Sequence, residues 1–272
     1  MELGQKKAEF AARGLNIAGV TYDSVEVLKA FAGRTGISYP LLSDPASKTI
    51  RDFGILNESM PKGTPFYGVP YPGTYIVDAK GVVQSKFFEA DYKERFSAGN
   101  ILLHLASAPG PDGWTEAETR QLKLRFKASD ASIHGGDVIT IRLEVELKPG
   151  LHVYAPGVQS SYIPVSWEFA AGPWKAELAS WPASKTLNLP AIKETAPVYE
   201  GKFSILRDLT FAQERPLFAA TGGSGQLSVE STFRYQACDN KECFPPVNVP
   251  VKLSFQLRPH DTQRVSPALQ RR

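Results

Sequence analysis

The sequence predicts a two-domain protein in which a layered α/β domain precedes an all-β antiparallel sandwich. The chain has 272 residues, which favours two domains over one. Helical and strand patterns alternate over the first hundred residues, as they do in layered α/β folds. From residue 118 onward apolar residues recur at every second position, which is typical of strands with one wet face.

The composition indicates a folded protein and argues against several classes of function. Apolar residues make up 42% of the chain and charged residues 22%, which argues against extensive disorder. The net charge of +3 gives no reason to expect a nucleic-acid or membrane-surface partner. No apolar stretch approaches the roughly 18 residues of a membrane span, and the first residues carry charge where a signal peptide has its apolar run.

Local signals place the elements of the first half. A helical pattern opens the chain and ends near Gly14, and residues 16–22 form a predicted buried strand. Asp23 and Ser24 offer an N-cap for a second helix, which Gly36 is expected to end.

The remaining elements of the first domain follow the same logic. Asp44 is expected to open a short helix with Ile50 and Phe53 inward. Residues 74–88 predict a hairpin and residues 91–106 a last helix. The first domain therefore spans residues 1–106.

Composition separates the two halves. Residues 107–117 hold two Pro, two Gly and few apolar residues, which predicts a linker. Residues 118–258 form the predicted sandwich, and residues 259–272 a polar tail. The clearest strands lie within Leu122–Ala128, Ile139–Leu147, Ile163–Phe169, Leu227–Tyr235 and Val251–Leu257. Arg207 interrupts the alternation, for a reason that the sequence does not give.

The main chemical feature is a pair of cysteines, Cys238 and Cys243, the only two in the chain. Four polar residues separate them, so the loop can fold back and join the sulfurs. As a structural staple, so short a loop would stabilise the fold by about 2 kcal/mol, less than a long loop would. Two unpaired buried thiols are a further possibility, although the polar loop argues for exposure.

Charges near the cysteines leave their role open. A reactive thiolate needs nearby positive charge and access. Lys241 and Arg234 supply positive charge, whereas Asp239 and Glu242 oppose it. The spacing alone therefore gives the structural and the redox-active interpretation equal weight.

Several short segments of the second half carry a family resemblance. They are Lys148–Tyr154, Tyr162–Pro164, Val198–Gly201 and, above all, Tyr235–Pro246. With these segments, residues 136–257 resemble the N-terminal domain of the DsbD family of thiol:disulfide interchange proteins, also called the disulfide bond corrector family. The resemblance implies an immunoglobulin-like sandwich, a periplasmic location and a thiol or disulfide partner protein.

The same resemblance assigns roles to residues. It implies that Cys238 and Cys243 are the catalytic redox pair and that Cys243 meets the partner. Aromatic residues shield the cysteines in the family, and Tyr154, Tyr199 and Tyr235 are the candidates here, with strand packing as the alternative.

Segments of the first half resemble a second family. They are Ala11–Asp23, Tyr39–Asp44, Gly68–Asp78 and Gly81–Val83. Residues 1–106 thereby resemble the redoxins, that is, the AhpC/TSA peroxiredoxins and their thioredoxin-like relatives, which have antioxidant activity. Pro72 stands where thioredoxin folds place a cis-proline beside the reactive cysteine, and an ordinary turn proline is the alternative.

The first half lacks the reactive cysteine of the family it resembles. Residues 1–237 contain no cysteine, so this half cannot perform thiol peroxidase chemistry as written. The strand that precedes that cysteine is also missing. We therefore expect an N-terminal truncation, and a degenerate domain is the alternative.

Other candidate sites are weaker. The four histidines show no metal-ligand spacing, and no phosphate-binding loop is present, so we expect no metal or cofactor. His152 is interpreted as a packed histidine.

These observations predict a thiol:disulfide oxidoreductase that works through Cys238 and Cys243. Pro245 and Pro246 stiffen the chain after Cys243, which favours Cys243 as the partner-facing thiol and Cys238 as the resolving one. The alternative function is a non-catalytic binding or scaffold protein with a structural disulfide.

Overall fold

The chain folds into two compact units. The computed structural model describes residues 2–64, 66–88, 95–105, 113–158, 162–189, 194–239, 241–263 and 266–269. One unit comprises Met1–Leu105 with His260–Arg272, and the other comprises Ala106–Pro259.

The first unit is a small α/β structure. Its elements are α1 Glu2–Gln5, α2 Lys7–Ala11, β1 Gly19–Thr21, α3 Val25–Thr35, β2 Leu41–Ser43, α4 Lys48–Asp52, β3 Gly73–Val77, β4 Val83–Phe88, β5 Arg95–Phe96 and α5 Ala98–Leu105, followed at the chain end by a 3₁₀ turn over Pro267–Leu269. Strands β1 and β2 pair in parallel, and β3 and β4 form an antiparallel hairpin. Phe10 of α2 and Ile101 and Leu102 of α5 form its buried core.

The predicted caps of α3 are confirmed. The Ser24 hydroxyl accepts a hydrogen bond from the Val27 amide at 3.4 Å. Gly36 ends the helix in the left-handed conformation at φ 69°, which glycine adopts without steric cost.

Two helix predictions for the first unit are partly wrong. The Asp44 carboxylate accepts from the amides of Lys48 and Ile50 at 2.8 and 3.0 Å, but α4 ends before Phe53, which is 46% exposed. The predicted last helix begins only at Ala98, since β5 precedes it. Residues 91–94 and 106 of that prediction lie outside the described residues.

The second unit is β-rich. Its elements are β6 Thr115–Glu118, β7 Leu122–Ala128, β8 Ser132–Ile133, β9 Asp137–Leu147, β10 His152–Tyr154, β11 Ser166–Phe169, β12 Trp174–Ala176, β13 Lys185–Leu189, β14 Glu194–Glu200, β15 Lys202–Phe211, α6 Glu214–Ala220, β16 Gln226–Tyr235, β17 Ala237–Cys238 and β18 Val247–Leu257. The strand orders are β12-β15-β9-β7-β6, β11-β16-β18-β8 and β13-β14-β10-β17. Side chains from all three sheets, including Leu143, Phe233 and Val153, share one buried core.

The second unit differs from the prediction in two places. It contains a helix, α6, which the alternating pattern did not indicate and which buries Leu217 in the core. The last three residues of the predicted linker, Thr115–Ala117, belong to β6, which pairs antiparallel with β7. Residues 107–112 of that linker lie outside the described residues.

The structure explains why Arg207 interrupts the alternation of β15. Its Nε donates to the Glu177 carbonyl at 2.7 Å, and its Nη1 donates to the Trp167 carbonyl. The guanidinium also lies 5.1 Å from the centre of the Phe169 ring. Since Trp167 and Phe169 belong to β11, Arg207 ties two sheets together, and its burial lowers its pKa.

Candidate functional site

The cysteines lie where the chain crosses briefly from one sheet to another. Strand β16 ends at Tyr235, β17 pairs with β10 of the neighbouring sheet, and the chain returns to the first sheet at Val247. Cys238 and Cys243 form a disulfide with their Cα atoms 4.0 Å apart. The crossing anchors this disulfide to both sheets.

Asp239 organises the turn between the cysteines. Its Oδ1 accepts from the amides of Lys241 and Glu242 at 2.7 and 2.8 Å, and its own amide donates to the Glu242 carbonyl at 3.0 Å. The amides of Glu242 and Lys241 hold the pKa of Asp239 below its usual range, with a smaller contribution from the charge of Lys241. Asn240, also in the turn, lies outside the described residues.

The two cysteines differ sharply in exposure. Cys238 is 1% exposed, whereas Cys243 is an exposed residue. The Phe244 amide donates to the Ala237 carbonyl at 2.8 Å, and the Gln236 side chain donates to the Phe244 carbonyl at 3.1 Å, which fixes both ends of the turn. Only Cys243 is therefore presented to solvent by a fixed backbone.

Cys238 lies in a small cluster on the sheet face opposite the main core. Tyr154, Ala196 and Val198 form its buried part with Cys238, and the Tyr154 ring stacks on Tyr162 with centroids 4.2 Å apart. The stacked rings of Tyr154 and Tyr162 thus form an aromatic layer in the cluster that contains Cys238.

His152 belongs to the same sheet face. In the antiparallel ladders His152 is directly opposite Cys238 on β17 and opposite Glu200 on β14. Opposite residues in such ladders have Cβ atoms about 4.5–5.5 Å apart and point to the same face. The His152 ring also meets the Tyr154 ring edge-on, with centroids 5.5 Å apart.

The imidazole of His152 is buried with an unsatisfied nitrogen. The residue is 5% exposed, and its Nε2 has no hydrogen-bond partner among the described residues. Burial lowers the pKa of His152, although the charges of Glu200 and Asp239 partly oppose that shift. The ring is therefore neutral at neutral pH.

The other two tyrosines predicted to support the site lie in the main core. The Tyr199 hydroxyl donates to the Pro182 carbonyl at 3.0 Å. The Tyr235 hydroxyl lies 2.8 Å from the Thr119 hydroxyl and donates to Gln121 Oε1 at 3.1 Å. Burial raises the pKa of both phenols. The structure thus brings Tyr154 to Cys238 and places Tyr199 and Tyr235 elsewhere.

Pro72 lies in the first unit, just before β3. Its peptide bond is trans, like every peptide bond described. A cis-proline geometry is therefore not found at this position.

Sequence reasoning missed Glu200 and gave His152 no role at the site. The alternation of inward-facing and outward-facing side chains along β10 and β14 could have indicated both residues. Val153 and Tyr199 face the main core, so their neighbours His152 and Glu200 face the cysteine side.

No cluster of metal-ligating side chains occurs among the residues that the structure describes. In the same part of the chain, no helix has the length and apolar character needed to cross a membrane.

Comparison with protein families finds one match in each half of the chain. Residues 1–86 match the AhpC/TSA family, and residues 120–254 match the N-terminal domain of the thiol:disulfide interchange protein DsbD. The chain therefore contains, in order, a segment similar to the AhpC/TSA family and a segment similar to the DsbD N-terminal domain. Both resemblances deduced from the sequence are thereby confirmed.

Curated relatives of the first half include a peroxiredoxin and an alkyl hydroperoxide reductase. The chloroplastic peroxiredoxin Q of Arabidopsis thaliana is 34% identical over 76 residues, which is 28% of this chain and 32% of the relative. Alkyl hydroperoxide reductase C of Staphylococcus aureus (strain N315) is 30% identical over 94 residues, which is 33% of this chain and 46% of the relative. The chain spans less than half the length of each of these relatives.

Solved structures similar to this chain include the N-terminal domains of two other proteins. The N-terminal periplasmic domain of ScsB from Proteus mirabilis aligns with a TM-score of 0.36 at 14% identity, covering 53% of this chain and 50% of that one. The reduced DsbD N-terminal domain of Neisseria meningitidis aligns with a TM-score of 0.30 at 12% identity, covering 55% of this chain and 91% of that one.

Proposed function

We propose that this chain exchanges disulfides with a partner protein through Cys238 and Cys243. The observation that carries the proposal is the asymmetry of the pair, in which a disulfide joins one buried and one exposed cysteine across a fixed turn. The match of residues 120–254 to the DsbD N-terminal domain supports the same function.

A purely structural disulfide is the weaker explanation. The cysteines are five positions apart, so the closed loop is short and the entropic gain is about 2 kcal/mol. The surrounding unit has an extensive apolar core of its own. A disulfide at this position therefore adds little to the stability of such a fold.

Because Cys243 is exposed to solvent and Cys238 is buried, the two cysteines act in different steps of the exchange. In the reducing direction the Cys243 thiolate attacks a sulfur of the partner's disulfide, and the partner's other sulfur leaves as a thiolate. Cys238, after losing its proton, attacks Cys243, and the partner's second thiolate departs. The partner gains two electrons and the dithiol becomes a disulfide; the oxidising direction is the reverse.

The wider context of the proposal follows from the two family matches. We assign residues 1–106 to an incomplete thioredoxin-like domain, 107–117 to a linker, 118–258 to an immunoglobulin-like sandwich and 259–272 to a tail. Both cysteines lie in the sandwich, so disulfide exchange is assigned there. An extracytoplasmic compartment fits this function, because disulfides persist in oxidising environments.

The reduction potential of the pair tests the proposal. The whole chain is equilibrated with dithiol buffers of known potential, and the fraction of free thiol is measured. A shuttle should fall within about −120 to −270 mV, whereas a value below about −300 mV would indicate a structural disulfide and a scaffold role.

A variant with both cysteines changed to Ser provides the functional control. A shuttle should keep its fold and lose turnover of a disulfide substrate. Retained turnover in this variant would contradict the proposal.

A further inference from the structure

We infer that His152 is the proton acceptor for Cys238 when this buried thiol resolves the mixed disulfide with the partner. This inference rests on the proposed function, because it assigns the proton of one step in that exchange. His152 and Cys238 are directly opposite each other on paired strands and point to the same sheet face.

The buried nitrogen of His152 is the observation that carries the inference. A buried polar atom without a hydrogen bond costs free energy, so its presence calls for a reason. In the disulfide form Cys238 has no S–H group and can donate nothing to Nε2. Reduction creates an S–H donor on the residue directly opposite His152 in the ladder.

The resolving step needs such an acceptor. Cys238 is 1% exposed and lies among Tyr154, Ala196 and Val198, so water and hydroxide have little access to its proton. A thiol in apolar surroundings also ionises poorly. An adjacent neutral imidazole removes this obstacle.

The Cys238 S–H proton passes to Nε2 of His152, giving an imidazolium and a thiolate. The thiolate forms a bond with the Cys243 sulfur, and the bond from Cys243 to the partner sulfur breaks with its electron pair on the partner. The imidazolium then returns its proton to water.

The charges around His152 suit this role. Glu200 of β14 and Asp239 beyond β17 are the carboxylates that act on the ring, and each has its own cation, Lys185 at 3.1 Å from Glu200 and Lys241 beside Asp239. The carboxylates favour the imidazolium formed during the step. Burial holds the ring neutral beforehand, which keeps Nε2 able to accept the proton.

The test uses the reduced full-length chain and one equivalent of an aromatic disulfide that releases coloured thionitrobenzoate. The chain has only two cysteines, so the first equivalent released reports attack by Cys243 and the second reports resolution by Cys238. The variants are His152→Gln and His152→Asn, with His134→Gln, in the turn between β8 and β9, as the matched control.

Near pH 7 we expect the first phase to stay unchanged in the His152 variants and the second phase to slow by about tenfold or more. The defect should shrink as the pH rises toward 10, because the growing hydroxide concentration ionises an increasing fraction of Cys238 without the imidazole. An unchanged second phase, or one slowed equally at every pH, would overturn the inference.

Two further outcomes separate this inference from the proposed function. If the wild-type chain releases no thionitrobenzoate, or only one equivalent, the exchange function itself fails. If the variants fail to fold, the pH dependence of the second-phase rate in the wild-type chain tests the inference instead. A second phase that stays fast from about pH 8.5 down to pH 6.5 supports the base, and a tenfold fall per pH unit contradicts it.

Discussion

Replacing one cysteine at a time should expose a large difference in reactivity. Cys238→Ser leaves only the exposed Cys243, and Cys243→Ser leaves only the buried Cys238. A thiol-labelling reagent can reach Cys238 only after β17 separates from β10 or the aromatic layer of Tyr154 and Tyr162 moves aside. The ratio of the two labelling rates therefore measures the free energy of that opening.

The magnitude follows from the contacts that opening breaks. Exposing the side chain of Cys238 costs about 1 kcal/mol, and losing the Tyr154–Tyr162 stack costs about another. A ladder hydrogen bond of β17 adds about 1 kcal/mol where the strand also separates. A total of about 2–3 kcal/mol corresponds to a ratio of about 30 to 150, with Cys243 labelling faster.

The assay follows labelling of both variants at the same pH with an excess of an aromatic disulfide. Both variants lack the disulfide, so its loss does not bias the comparison. In concentrated denaturant the two rates should become equal, because burial no longer distinguishes the thiols. Equal rates in the folded state, or faster labelling of Cys238, would refute the assignment of partner-facing and resolving thiols.

Two stability predictions follow from the basic side chains of His152 and Arg207. The pKa of His152 is lowered on folding, so the unfolded chain binds more protons, and the free energy of unfolding should fall as pH drops from about 6.5 toward the folded-state value. Urea titrations of wild type and His152→Gln at several pH values would check this, and an identical pH dependence would contradict it. Arg207→Met should lower the free energy of unfolding by about 2–4 kcal/mol, since it leaves the Glu177 and Trp167 carbonyls without their donor. Denaturant unfolding against an Arg234→Met control would measure this loss, and equal losses would count against the tie between sheets.

Local signals in the sequence predicted the elements that depend on near neighbours. Ser24 and Gly36 mark the start and the end of α3. The sequence predicted both, because helix capping depends only on residues within one turn. The alternation along β16 predicted its inward side chains because one wet face imposes a period of two. The cysteine spacing likewise left a disulfide feasible, and the sulfurs are joined.

Pairing between distant strands could not be deduced in this way. The neighbour relation of His152, Cys238 and Glu200 depends on β10 lying between β14 and β17, which no local pattern encodes. The role of Arg207 depends on carbonyls of two other segments. Phe53 proved exposed because α4 ends one residue earlier, and helix ends are the least certain part of any pattern.

Because β17 pairs with a different sheet from β16, the segment that holds the two cysteines cannot be moved to another protein with its properties intact. A peptide cut from Tyr235 to Pro246 would keep Asp239 and its turn, yet it would lose His152 and Tyr154, which come from β10. Grafting that segment onto another scaffold would transfer a disulfide whose two sulfurs are equally exposed to solvent. The difference in solvent exposure between the two sulfurs depends on the pairing of β17 with β10. A graft that preserves this difference must therefore include β10 as well as the loop.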